Sequence, residues 1–221
     1  MRTTIGRQLG DSHAARIYVG LFGGLVLAAD LSVVAWMRYP LRIDARWSIA
    51  IAAVIVLWLL VRGDAASVGI VPKPIQGWDY WVRMAVLIGV AVLAIITATI
   101  RVWMLLEREV PAYVTPPSAF GTRFLSMCVF APLQEEVIYR MVLCVSIVRL
   151  IGKSGTVLAS GAVFGFAHVV YGNPSPENLV GGFFLGWCYL KSGTILIPLL
   201  LHSLGNLCVL LGQVEGWHLV H

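Results

Sequence analysis

From Ile17 to Gly212 the chain is a succession of apolar runs, most of them close to the length at which a helix crosses a bilayer, joined by short polar or proline-containing connections. Hydrocarbon offers the backbone no hydrogen bonds, so such a chain must satisfy its own N–H and C=O groups within each segment. A bundle of membrane helices follows. Composition agrees: 59% of residues are hydrophobic, 12% are charged and the mean hydropathy is +0.85, well beyond an average soluble domain. At roughly 20 residues per crossing, the 221 residues hold about six to eight crossings and no sizeable soluble domain.

The expected fold is an all-α polytopic membrane protein of about seven transmembrane helices. The spans read as Ile17 to Met37, Trp47 to Val61, Met84 to Arg101, Phe124 to Leu150, Ser154 to Tyr171, Asn178 to Leu190 and Thr194 to Gly212. The second and sixth are short, which requires flanking residues to extend them, a thinned bilayer or partial insertion. Arg2, Arg7 and Arg16 ahead of the first run, with Val26-Leu27-Ala28 behind, have the form of a signal peptide, but an uncleaved first helix is the expectation. Turn chemistry orders three connections: Val71-Pro72-Lys73-Pro74, Tyr113 to Gly121, and Gly172-Asn173-Pro174-Ser175-Pro176. No long linker or low-complexity tract appears, so residues 1–221 read as one membrane domain with a variable N-terminal part, 1–123.

Net charge is +5 and the isoelectric point about 9.2. The basic residues stand singly between apolar runs, which suits anchoring against anionic lipid rather than a nucleic-acid stripe; the bilayer is the expected partner and nucleic acid is not. Cys128, Cys144, Cys188 and Cys208 all fall in apolar segments without metal or disulfide spacing and read as buried small hydrophobes. Gly20/Gly24, Gly161/Gly165 and Gly182/Gly186 read as faces where helix backbones approach closely.

Ionisable residues inside hydrocarbon cost about 2.5 to 3.5 kcal/mol each on insertion scales and are candidates for function by default. Here they gather in the C-terminal half: Glu135, Glu136 and Arg140 on the fourth span, His168 on the fifth, His202 and Asn206 on the seventh. Asp30 stands alone in the first three and reads as structural. At about 100° per residue, Glu136 and Arg140 lie only about 40° apart around a helix while Glu135 is about 140° from Arg140. Glu136 should therefore pair with Arg140, leaving Glu135 to face a cavity as a base. Pro132 suits the first turn of a helix segment, which would set both glutamates near a positive helix end. His202 and Asn206 share a face, about 6 Å apart along the axis, and as donors suit a developing oxyanion. Phe164 sets an aromatic wall one turn from His168, whose imidazole can hold a water or pass a proton. Taken singly, each element has a structural explanation as an ion pair or interhelical hydrogen bond; two carboxylates, two histidines and an amide on three helices exceed what structural pairing requires.

At these residues the sequence resembles the CAAX prenyl endopeptidase and bacteriocin-processing family, called CPBP or Abi. The motif EExxxR stands as Glu135-Glu136-Val137-Ile138-Tyr139-Arg140 after Ala131-Pro132, FxxxH as Phe164 to His168, and HxxxN as His202 to Asn206 after Gly193-Thr194-Ile195-Leu196-Ile197-Pro198. The resemblance covers about Phe124 to Leu211, within a family-like helical core of residues 124–212; Met141 replaces the glycine that many members carry after the arginine. It implies a glutamate-type intramembrane protease, in a prokaryotic inner membrane, needing no cofactor or metal. Glu135 with His168 would activate water, His202 with Asn206 would stabilise the oxyanion, and Glu136, Arg140 and Phe164 would support them.

Family substrates include prenylated tails, peptide precursors and C-terminal sorting tags of exported proteins. With the N-terminus inside, nine Lys and Arg (Arg2, Arg7, Arg16, Arg62, Lys73, Arg83, Arg149, Lys153, Lys191) lie on the cytoplasmic side against six outside (Arg38, Arg42, Arg46, Arg101, Arg108, Arg123). The His168 end of the cavity then opens outward, which favours a membrane-anchored or exported protein tail as substrate. Two other readings use the same residues. Glu135, His168 and His202 suit a two-histidine, one-carboxylate zinc site, although HExxH is missing and Asn206 would be idle. A non-catalytic transporter or immunity protein could use the cluster for binding, although no internal repeat supports a transporter.

Overall fold

The structure is a computed structural model that describes residues 5–7, 12–38, 40–106 and 114–220. Arg2, Arg108 and Tyr113, which entered the loop and charge readings, lie outside the described residues. Helix α1 is His13–Trp36, α2 Leu41–Leu60 and α3 Trp78–Leu105. Helix α4 runs over residues 120–151, α5 over residues 153–170, α6 is Pro176–Ser192 and α7 Leu196–Val220. No strand occurs among the described residues. Four helical stretches are long and apolar enough to cross a membrane: α1, α2, residues 117–170 and residues 196–218. Outward-facing apolar side chains such as Tyr18, Leu25 and Leu59, each about 70% exposed, are what a lipid-facing surface requires. This is an integral membrane protein.

The backbone folds into two compact units, Met1–Ile75 with Leu133–Leu199, and Gln76–Pro132 with Leu200–His221. In the first, α1 buries Val19, Gly23, Val26, Asp30 and Val34, one stripe at helical spacing. Helix α2 buries Arg46, Ala50, Ala53 and Leu57 in the same way. Both stripes therefore carry a charged residue inward among apolar ones. The short second run is extended by flanking residues: α2 starts at Leu41 and takes Arg46 into the helix, where it is buried rather than part of the outer loop charge.

Helix α4 is not α-helical throughout. Phe124–Phe130 and Glu136–Cys144 have π geometry, with hydrogen bonds reaching one residue further than in an α-helix, a form that concentrates at functional sites. The helix is continuous through Ala131–Glu135, so Pro132 does not open a helix and the glutamates do not sit at a positive helix end. The expected separation of the fourth and fifth spans is present at Gly152, whose φ of 70° and ψ of 177° break the helix. The chain turns back there. Ser160 Oγ reaches Tyr139 O at 3.3 Å across 21 residues, whereas unbroken helix would separate them by about 32 Å. The left-handed φ suits glycine.

Helices α5 and α6 meet at glycines. A Cβ on Gly182 would lie 2.9 Å from Gly161 O and 3.1 Å from Phe164 Cβ, and one on Gly161 would strike the Phe183 ring. Gly186 is looser, with Ser160 at 3.6 Å, and on α1 the tight positions are Gly20 and Gly23 while Gly24 faces open space. The α1 contact is thus spaced by three residues rather than four. Gly182→Ala is expected to destabilise the detergent-solubilised protein by about 1 to 3 kcal/mol through overpacking, and Gly186→Ala to leave its thermal unfolding nearly unchanged.

The ordered connections are held by specific bonds. Ile75 N–H donates to Ser192 O (2.8 Å), Ile195 N–H to Gly69 O (2.9 Å) and Thr194 Oγ1 to Val71 O (2.6 Å), so the lead-in to α7 docks on residues 69–75. Asn173 N–H donates to His168 O, and Asn178 Nδ2 to Asn173 O. Thr115 bonds Gln213 through backbone and side chain. Cys128, Cys144 and Cys188 are buried free thiols; Cys208, expected inside, is exposed on the outer face of α7.

Candidate active site

The π segment is almost wholly buried, and it carries the paired charges inward. Arg140 Nε lies 3.1 Å from Glu136 Oε2, a close ion pair without the alignment of a hydrogen bond, as the four-residue spacing predicts. Arg140 Nη2 donates to Gly182 O at 3.4 Å, and its guanidinium carbon sits 4.5 Å from the centre of the Phe164 ring. Phe164 meets Tyr139 edge-on at 5.4 Å and His168 at 4.5 Å. One aromatic ring therefore touches the arginine of the first motif and the histidine of the second.

His168 Nδ1 is 3.0 Å from Phe164 O. A carbonyl oxygen only accepts, so Nδ1 carries the proton and, in the neutral ring, Nε2 carries the lone pair. The ring also packs against Tyr171, edge-on at 5.6 Å.

Glu135 is buried one residue before the ion-paired Glu136. It interacts electrostatically with Arg46, Tyr139 and Tyr171. Those partners belong to a buried polar cluster that the sequence did not reveal. Arg46 Nε donates to Asp30 Oδ1 at 2.7 Å and Nη2 to Oδ2 at 3.2 Å; Tyr139 Oη donates to the same Oδ2 at 3.1 Å. The guanidinium carbon of Arg46 lies 4.8 Å over the Tyr171 ring. The available signal was Asp30 itself, since a fully buried carboxylate requires a cation, and Arg46 was the misplaced partner because a span starting at Trp47 left it in a loop. Tyr139 and Tyr171 carried no signal, being one aromatic among many.

The third motif lies in the second unit. His202 and Asn206 are partly buried on one face of α7. Asn206 Nδ2 donates to Met127 O at 2.7 Å, and the reason lies in the adjacent proline. In the π stretch Ala131 N–H bonds Ser126 O, five residues back; the next donor in that ladder, for Met127 O, would be Pro132, which has no N–H. The Asn206 amide takes its place, with a second N–H and a carbonyl oxygen still to use. Asn206→Ala is expected to lower stability by about 1 kcal/mol, since the acceptor it leaves unsatisfied is partly buried. Adding Pro132→Ala, which restores the backbone donor, should recover most of the loss in thermal unfolding. A double variant melting as low as the single one would mean that Met127 O is satisfied otherwise.

Among the described residues no three His, Cys, Asp or Glu side chains are grouped as a metal site would need. No curated protein and no solved structure matches the sequence. Residues 117–208, which contain all three motifs, match the model of the family described as Type II CAAX prenyl endopeptidase Rce1-like. That segment, somewhat less than half of the chain, is similar to the Rce1-like, CPBP-type family of membrane proteases.

Proposed function

We propose that this protein is a glutamate-type intramembrane endopeptidase that cleaves the tail of a membrane-associated protein. The observation that carries the reading is the division of labour on α4: Glu136 is ion-paired with Arg140, while the buried Glu135 interacts electrostatically with Arg46, Tyr139 and Tyr171. In this reading Glu135, with His168, takes a proton from water as its oxygen attacks the scissile carbonyl carbon. The negative charge that develops on the carbonyl oxygen is met by donors from His202 and Asn206. The C–N bond then breaks, and the proton passes to the leaving amine. Glu136, Arg140 and Phe164 hold the first group in place.

The reaction needs no metal in this scheme. Proteolysis by the purified protein in detergent is therefore expected to survive a strong chelator; loss that zinc restores would replace the scheme with the two-histidine, one-carboxylate zinc site. The substrate proposed is a C-terminal tail on an exported or membrane-anchored protein, processed in a prokaryotic inner membrane by a bundle of about seven crossings. A prenylated CAAX-type tail is the second reading, favoured by the description of the matching family. Comparing C-terminal peptides of membrane proteins from cells with and without this protein separates the two: the tail that persists in its absence identifies the substrate. If no precursor persists, a binding or immunity role takes the place of proteolysis.

A further inference from the structure

Helices α1 and α2 lie outside the segment that matches the family, yet they send one buried ion pair into the cluster around Glu135 and His168. We infer that Arg46, seated by Asp30, is a positioning residue of the peptidase site, acting on His168 through the Tyr171 ring and on Glu135 through its charge. The inference rests on the peptidase reading above and adds to it a contribution from the N-terminal helices.

Three observations carry it. The pair is more tightly built than packing of two helices requires: Asp30 is fully buried and receives three hydrogen bonds, two from Arg46 and one from Tyr139. Tyr139 is flanked in the chain by the motif's Arg140, so the acceptor also fixes the π segment that holds Glu136 and Arg140 and directly follows Glu135. The second is the stack. The Arg46 guanidinium lies over the Tyr171 ring, which abuts the His168 imidazole at 5.6 Å, so displacing the cation frees a ring that packs against the histidine. The third is charge. Arg46, held by Asp30, also interacts electrostatically with Glu135. A buried ion pair is also a poor device for stability alone, since apolar residues of similar volume are often as good or better.

The test separates position from stability. Cells lacking their own copy are given the wild type, Glu135→Gln, Arg46→Lys, Tyr171→Leu or the double variant Asp30→Asn/Arg46→Gln. The double variant keeps hydrogen-bonding groups and removes both charges together. Folded protein in the membrane is measured by thermal unfolding after detergent extraction, and processing by pulse-chase of the precursor that persists with Glu135→Gln. The expected result is at least a hundredfold slower processing by the folded double variant, at least a tenfold loss for Tyr171→Leu, and for Arg46→Lys a loss smaller than tenfold because the charge remains. Wild-type processing by the double variant would overturn the inference and leave Arg46 a structural residue. Should the double variant not fold, Tyr171→Leu decides alone, and a wild-type rate there overturns it. If Glu135→Gln itself leaves no precursor behind, the peptidase reading fails first and this inference falls with it.

Discussion

Replacing Glu135 by glutamine is expected to reduce proteolysis to background while the protein remains folded and in the membrane. The substitution keeps the size and most of the polarity of the side chain but removes the carboxylate proposed as the base, leaving the Glu136–Arg140 pair in place. General-base catalysis contributes about 10² to 10⁴ in rate, so a loss of that order in turnover, with thermal unfolding within a few degrees of the wild type, is the predicted outcome. Glu136→Gln should behave differently. It leaves Arg140, fully buried, without its counter-charge, so the loss of activity there should come with a clear drop in stability. Equal activity of the wild type and Glu135→Gln in a reconstituted assay would remove the assignment of Glu135 as the base.

Arg46→Met is expected to be the most destabilising single substitution in the N-terminal helices. It leaves Asp30 buried and charged with Tyr139 as its remaining donor, and breaking one partner of a buried pair costs about 3 to 5 kcal/mol. Thermal unfolding of the detergent-solubilised variant measures the loss. Combining the change at Arg46 with Asp30→Asn should return most of that stability, because the uncompensated charge is then gone. Stability recovered by the paired change, with processing still slow, is the combination that distinguishes positioning from packing.

Much of this arrangement was legible in the order of residues. Apolar runs set the helices, and the break between the fourth and fifth falls at Gly152, where the runs divide. The four-residue spacing of Glu136 and Arg140 predicted their pairing, and that of Phe164 and His168 predicted an aromatic wall beside the imidazole. These are local quantities, fixed by the geometry of one helix. Where the local geometry itself departs from the α-helix, sequence reasoning failed: Pro132 was read as a helix start, whereas the π stretch before it lets the helix run through and passes the orphaned Met127 carbonyl to Asn206.

Periodicity and composition lead to a membrane bundle of helices with two glutamates, one arginine, two histidines and an amide placed at helical spacings in its C-terminal half. Which distant residues complete their surroundings emerges only from the packed fold. Asp30 meets Arg46 and Tyr139 across 16 and 109 residues of chain, and Gly182 meets Gly161 at backbone distance. The physical reason is that periodicity tells which face of a helix turns inward but not which inward face it meets. Asp30 and Arg46 each stand on the buried stripe of their own helix, and only packing the two stripes together makes them a pair beside Glu135.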